Sequence, residues 1–480
     1  MTAPVRLAPL AGALAGLAGC AVANNVDVCG RTPSFEDEIN VLTDGNQSTR
    51  STKAVVPLPT GRAFVTFVSS VGEDRQAARG ILVDVDGAPV NTCGEPNEVT
   101  YSAFRANGPI DQRAAFPRYA APRTAEEEGF LAWSFLDGDL DGPVSAFDTR
   151  IEGRFVGPDG CVVFPEEQPD PLVFDDPPRG RIVGAPAIVH TGDDRFVLLW
   201  PRSASGVGQQ DGGTLAQVFV EGPFGRARFE PVRDPQSGEA VDGTEPVQLL
   251  AGSGSGVDAV PVGTGRFAVV VQDLQIPDQV LSFGIFENTL DEVVPFRVLD
   301  RDRGTSNAIS PALALDPVTE RFLVVWSRSD PLNADLERVA AMLLDRDGNP
   351  VGTRHVESGE PFYLTEAVRV QSDPTVSALP GGAGFLVAWS DANDAESEDA
   401  IRAALIEPNG DVAFANGPCD RTDFIVHGDL SGAQEVPAVA VFDDGTVMIA
   451  WTDRGQNGRD VSGTSVRLQR GDLRTYLPLR

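Results

Sequence analysis

Every tryptophan of this chain sits in one local context, and that regularity constrains the fold more than any other feature. The five occur as Phe130-Leu131-Ala132-Trp133, Phe196-Val197-Leu198-Leu199-Trp200, Phe322-Leu323-Val324-Val325-Trp326, Phe385-Leu386-Val387-Ala388-Trp389 and Val447-Met448-Ile449-Ala450-Trp451. Two further segments fit the frame without tryptophan: Ala63 to Phe67 after Gly61-Arg62, and Phe267 to Val271 after Gly265-Arg266. The seven end positions 67, 133, 200, 271, 326, 389 and 451 are 66, 67, 71, 55, 63 and 62 residues apart. Each interval is long enough for a four-stranded antiparallel sheet with generous loops.

Each unit reads internally as strands. Before the aromatic-ended run comes a short segment that opens with proline and carries small residues, as after Pro186, Pro311, Pro374 and Pro437. Proline at the first residue of a strand removes no ladder hydrogen bond that matters, and small side chains suit the narrow inner edge of a wedge. The aromatic-ended run is nearly continuously apolar, as expected of a strand covered on both faces. A third strand follows a polar loop and ends in Asp86-Gly87, Asp159-Gly160, Asp347-Gly348 or Asn409-Gly410, dipeptides that reach positive φ cheaply and favour hairpins. Fourth strands are expected at Val247–Leu250, Phe362–Thr365 and Phe424–His427. Runs with a helical period of 3.6 are nearly absent, which excludes a helical solenoid of similar repeat length.

The pattern resembles the β-propeller class and predicts an all-β fold: a seven-bladed β-propeller of four-stranded antiparallel blades, occupying residues 36–480 as one domain. It matches no single propeller family's motif closely, so the resemblance implies fold and no activity. Ile39 to Thr43 looks like a fourth strand that precedes the first unit, and ring closure would place it in the seventh blade; Thr475 to Leu479 competes for that place.

The N-terminus carries an address. Arg6 precedes an apolar run from Leu7 to Gly19, too short for a stable bilayer span and suited to a signal-peptide core. It ends in Leu17-Ala18-Gly19-Cys20, which resembles the lipobox of bacterial lipoproteins. The resemblance implies a signal peptide over 1–19, a lipid anchor at Cys20, a tether over 20–35 and a place in the cell envelope; with Ala21 rather than aspartate next, it implies the outer membrane. Setting Cys20 aside leaves Cys29, Cys93, Cys161 and Cys419, an even number in an oxidising compartment, hence candidates for two disulfides. Sequence allows three pairings. If the propeller reading holds, neighbouring blades favour Cys93 with Cys161 and Cys29 with Cys419. A zinc site is the rival, but these cysteines have no CxxC spacing and the three histidines are scattered.

Asp and Glu outnumber Lys and Arg by 70 to 38, a net charge of −32, which repels nucleic acid. Lys53 is the only lysine. The sharpest local motif is Asp137, Asp139 and Asp141 at positions 1, 3 and 5, Gly142 at 6, Val144 at 8 and Asp148 at 12, the spacing of an EF-hand-type calcium loop, here flanked by strands. A Ca2+ site is one reading; an acidic solvated loop is the other. Corresponding loops are also acidic, notably Asp391, Asp394, Glu396 and Asp399. In a propeller they would emerge on one face around a channel mouth, a candidate binding surface for a glycan, peptide or protein.

No nucleophile elbow, phosphate loop, HExxH motif or histidine cluster is present, and no catalytic residue can be chosen by spacing. Sequence alone therefore favours a membrane-anchored binding module. The alternatives are an envelope hydrolase or lyase with its site at the channel mouth, or a calcium-stabilised scaffold.

Overall fold

The computed structural model describes residues 36–38, 47–49, 51, 53–70, 75–90, 99–100, 112–137, 148–163, 170–178, 180–203, 212–275, 278–302, 311–330, 333–353, 359–365, 370–392, 400–413, 423–426, 432–454 and 464–473. Their strands form a seven-bladed β-propeller. Blade 1 is Val55–Pro57, Ala63–Ser70, Arg75–Val83 and Val99–Thr100. Blade 2 is Gln112–Ala120, Gly129–Asp137, Asp148–Val156 and Leu172–Asp175. Blade 3 is Ala187–Gly192, Arg195–Arg202, Gly212–Glu221 and Val247–Gly252, with the short strand Ala227–Phe229 also on its third strand. Blade 4 is Gly254–Pro261, Arg266–Gln275, Asp278–Glu287 and Glu292–Asp302. Blade 5 is Ala312–Asp316, Arg321–Asp330, Asn333–Leu344 and Phe362–Tyr363. Blade 6 is Val370–Ala378, Phe385–Ala392, Ala400–Ile406 and Phe424–Ile425.

Blade 7 takes three strands from the end of the chain, Gln434–Val441, Thr446–Asp453 and Ser465–Asp472, and its fourth, Glu36–Glu38, from the beginning. Glu36 pairs with Gln469 and Glu38 with Arg467. The closing strand thus lies three residues ahead of the segment expected; Ile39 to Thr43 and Thr475 to Leu479 fall outside the described residues. From this strand the chain passes between blades 7 and 1, where the Thr49 hydroxyl donates to the Val436 carbonyl at 2.7 Å and the Thr49 N–H to the Thr452 hydroxyl at 3.0 Å.

The hydrophobic core is divided into seven clusters, each shared by two consecutive blades. The one that closes the ring packs Val65, Phe67 and Ile81 of blade 1 against Ala438, Met448 and Leu468 of blade 7. A single blade has apolar side chains on both faces and cannot cover either alone, so burial requires a neighbour on each side.

All five indoles are at most 1 % exposed and lie within the second strands of their blades, which continue past them. In blades 3 and 5 their polar ends follow one pattern. The Trp200 indole N–H donates to Asp175 on the preceding blade at 2.7 Å, and Arg202 pairs with the same carboxylate at 3.4 Å. Trp326 and Arg328 repeat this on Asp300, at 3.2 and 2.9 Å. In blades 6 and 7 the acid comes from the second strand itself: Asp391 and Asp453 follow their tryptophans by two residues and pair with Arg402 and Arg467 of the third strands, at 3.3 and 2.8 Å. Each arrangement gives a buried guanidinium a carboxyl partner, which burial demands.

The prolines correct one expectation. Pro186 and Pro311 do precede inner strands, but Pro117, Pro374 and Pro437 lie inside theirs, at register shifts between Ala115 and Arg118, Ser372 and Thr375, and Glu435 and Ala438. The residue before each, Phe116, Asp373 or Val436, has φ near +50°. The missing N–H falls in a bulge rather than in the ladder, so the inner strand continues through it. The hairpin glycines Gly87, Gly160, Gly348 and Gly410 have φ between +72° and +86°, as the turn dipeptides require.

Asp300→Ala should lower stability by about 2–4 kcal/mol, because an indole and a guanidinium lose the buried carboxylate they share. Val318→Ala, at a side chain 64 % exposed, should stay within about 0.5 kcal/mol. Urea unfolding compares the two, and equal midpoints would contradict this account of the blade contacts.

Candidate functional site

The first-strand-to-second-strand turns converge on one end of the central channel, and the cavities on that side are built from inner-strand ends. A cleft of about 540 Å³ runs into the channel from this mouth, with Pro57, Pro122, Arg123, Pro261, Gly263 and Pro317 at its turn end. Its walls are apolar, including Ala187, Val189, Ala259, Leu315 and Val376. At its inner end lie Lys53, Arg118 and Asp258.

A second recess of about 280 Å³ opens beside the first, between blades 2 and 3, lined by Glu127, Glu128, His190, Asp194, Phe196 and Glu221. Glu127 and Glu128 come from the turn that follows the inner strand of blade 2, while Asp194 stands in the tight turn after Gly192. Gly192 has φ of +90°, and a Cβ there would lie 3.2 Å from the Arg123 guanidinium, so glycine serves both the turn and the close approach. Arg123 is held by the Gly263 carbonyl at 2.7 Å and the His190 carbonyl at 3.4 Å, which ties blade 2 to blades 3 and 4 at the mouth.

Two carboxyl groups of the recess, Glu221 and Glu127, are driven in opposite directions. Burial, and then the hydrogen bond and charge of Glu128, push the Glu221 carboxyl up to about 7. At neutral pH the Glu221 carboxyl is therefore still partly protonated. Burial would raise Glu127 as well, but the backbone N–H groups of Arg123 and Thr124, at 3.0 and 3.3 Å from its Oε2, outweigh it and lower its pKa. A proton-bearing carboxyl and an ionised carboxylate thus line one small cavity.

His190 links recess and cleft, lining both. Its ring stacks on Phe196 with centroids 4.6 Å apart and planes 20° from parallel. The residue is 7 % exposed, and neither ring nitrogen has a hydrogen-bond partner among the described residues. Burial lowers its pKa more than Glu127 raises it, so the imidazole is neutral at pH 7, with one donor and one acceptor free for a bound molecule.

The site residues expected from sequence lie elsewhere. Asp137 and Asp148 are direct cross-strand partners where the second and third strands of blade 2 end, and the loop between them, with Asp139 and Asp141, is outside the described residues. Asp391 is 1 % exposed and is engaged by Arg402 and Gln371, so it belongs to the interior of blade 6 rather than to an open rim. Asp394, Glu396 and Asp399 lie outside the described residues, as do Cys20, Cys29, Cys93 and Cys419. Cys161 is in the turn after the third strand of blade 2, its N–H donating to Asp159 at 3.0 Å.

Sequence reading missed the recess because its members are separated by up to 94 positions and the histidines look scattered. The Glu126-Glu127-Glu128 run was the available signal.

No protein-family model matches the chain, and no curated protein matches it. Solved structures of similar shape include an intramolecular trans-sialidase from Ruminococcus gnavus, 10 % identical with a TM-score of 0.41, the match covering 91 % of this chain and 97 % of that one. A PL25 ulvan lyase is 9 % identical with a TM-score of 0.46, over 91 % and 96 %. A GH93 α-L-arabinofuranosidase of Fusarium graminearum is 12 % identical with a TM-score of 0.43, over 92 % and 98 %. At these values none of the three bears on chemistry, which the recess itself has to carry.

Proposed function

We propose that this propeller is a hydrolase whose site is the acidic recess at the channel mouth and whose substrate is a glycan. One observation carries the reading: a carboxyl pushed up to about 7 beside a carboxylate held ionised, with a neutral, unpartnered imidazole between them and the cleft. Cleaving a glycosidic bond needs one carboxyl that delivers a proton to the leaving oxygen and one carboxylate that activates water or attacks the sugar. Glu221, hydrogen-bonded to Glu128, fits the acid; Glu127 fits the second role; His190 positions a hydroxyl. Four carboxyl side chains around one recess, on a chain of net charge −32, disfavour a polyuronate there, which is why hydrolysis of a neutral or amino-bearing glycan is preferred to lyase chemistry.

We also propose the address implied by Leu17-Ala18-Gly19-Cys20: a diacylglyceryl anchor on Cys20 that holds the propeller at the envelope membrane. Disulfides among Cys29, Cys93, Cys161 and Cys419, and Ca2+ bound by Asp137, Asp139, Asp141 and Asp148, belong to the same proposal.

Release of reducing ends from a panel of neutral and amino-containing polysaccharides tests the activity. Glu221→Gln should lower kcat about 10²- to 10⁴-fold with an unchanged melting curve. The wild-type rate should fall as pH rises through about 7, because the acid form of Glu221 is lost there. Full activity in Glu221→Gln would sink the assignment, and saturable glycan binding without turnover would return the recess to the binding role expected from sequence. For the anchor, Cys20→Ala should move the protein from the membrane to the soluble fraction; unchanged fractionation would overturn it. For the metal, Ca2+ should raise the melting midpoint of wild type and not of Asp139→Ala, and equal responses would remove Asp139 as a ligand.

A further inference from the structure

The channel cleft contains a second arrangement that the hydrolytic reading does not use. Lys53, the only lysine of the chain, stands just before the inner strand of blade 1 and reaches across the channel. Its ammonium donates to the Leu313 carbonyl of blade 5 at 2.8 Å and the Val376 carbonyl of blade 6 at 3.2 Å, and lies 3.7 Å from Asp258 of blade 4. Arg118 of blade 2 approaches the other oxygen of Asp258 at 3.6 Å. Asp258 also accepts the Leu313 N–H at 2.8 Å. Two cations from blades 1 and 2 therefore share one carboxylate whose charge is already partly spent on a backbone donor.

Burial, joined at Lys53 by the charge of Arg118, lowers the pKa of both cations by more than Asp258 raises it. The carboxylate undercompensates the desolvation of the two cations, and a further negative charge at this point would relieve it. The position is also reachable. Lys53 keeps 23 % of its side chain exposed, and it lines the 540 Å³ cleft that opens between the turns. The cationic end lies some three to five residues inside those turns, a depth of ~10–15 Å at ~3.3 Å per strand residue. Between it and the mouth the walls are Ala187, Val189, Ala259, Leu315 and Val376, and Arg123 stands at the entrance. Cavity size, apolar walls and one charged terminus are the ordinary makeup of a small-molecule site.

We propose that this cleft binds a small organic anion with an apolar body, a monocarboxylate whose acid group is received by Lys53 and Arg118 at the inner end while its hydrocarbon part lies along the channel walls. The site is separate from the acidic recess and does not depend on the recess being catalytic. A dissolved inorganic anion would meet the cations but leave the apolar wall wet, and a neutral amphiphile would leave the cations as they are; neither fits both halves.

Calorimetric titration of the full chain with octanoate, octanamide and acetate tests the proposal. Octanoate should bind saturably at one site per chain, with a negative heat-capacity change from apolar burial. Octanamide and acetate should each bind at least about tenfold more weakly. Lys53→Gln should lose octanoate binding about tenfold or more, and Glu221→Gln should keep it, which separates this site from the recess. Because Lys53→Gln removes an internal ion pair and can impair folding, the wild-type comparison of octanoate with octanamide stands on its own. Equal binding of the two, no saturable octanoate binding, full binding in a folded Lys53→Gln variant, or loss in Glu221→Gln would each overturn the proposal.

Discussion

The structure depends on burial that no blade can complete alone. Each second strand is apolar on both faces, so its side chains contribute to two clusters: in blade 5, Leu323 and Val325 pack toward blade 6 while Phe322, Val324 and Trp326 pack toward blade 4. Alternation along one strand thus welds three blades together. The same demand at the ends of the chain packs blade 7 on blade 1, while backbone pairing adds Glu36–Glu38 to the edge of blade 7. Without that closure two sheet faces of the size of a blade would meet water, and the edge of Ser465–Asp472 would be unpaired.

Polar groups caught between blades are handled by a recurrent device. A buried indole or guanidinium shares an aspartate, and the aspartate comes from the preceding blade in blades 3 and 5 or from the same blade in blades 6 and 7. In blades 6 and 7 acid and arginine are diagonal neighbours on adjacent strands, and in blades 3 and 5 they meet across the gap between two sheets. Asp391 is acidic for this reason. Its position next to an acidic loop made it resemble part of a binding surface in the sequence, yet the nearest partner in space is Arg402.

At the channel mouth the packed ring leaves two cavities of opposite electrical character. The recess gathers carboxyl groups from blades 2 and 3 and separates their proton affinities through burial and backbone donors. The cleft ends in cations from blades 1 and 2 against one aspartate of blade 4. His190 borders both and has polar capacity to spare. Rigid walls make this precise positioning feasible: the groups stand at the ends of inner strands whose remaining length is locked into the ring.

The blade number, the strand order within a blade and the hairpin turns were all legible in the sequence, because each is a local matter. Repeat spacing counts sheets, continuous apolar runs mark strands covered twice, and Asp-Gly or Asn-Gly dipeptides mark positive φ. The prolines of blades 6 and 7 were misread by a few residues, since a bulge and a strand start look alike until the partner strand fixes the register. The recess and the cation knot were not legible. Glu127, His190 and Glu221, like Lys53, Arg118 and Asp258, belong to different blades, and only the curvature of the closed ring sets their distances. A lone lysine or a scattered histidine carries no address in the linear chain; it acquires one when seven inner strands converge on a common axis.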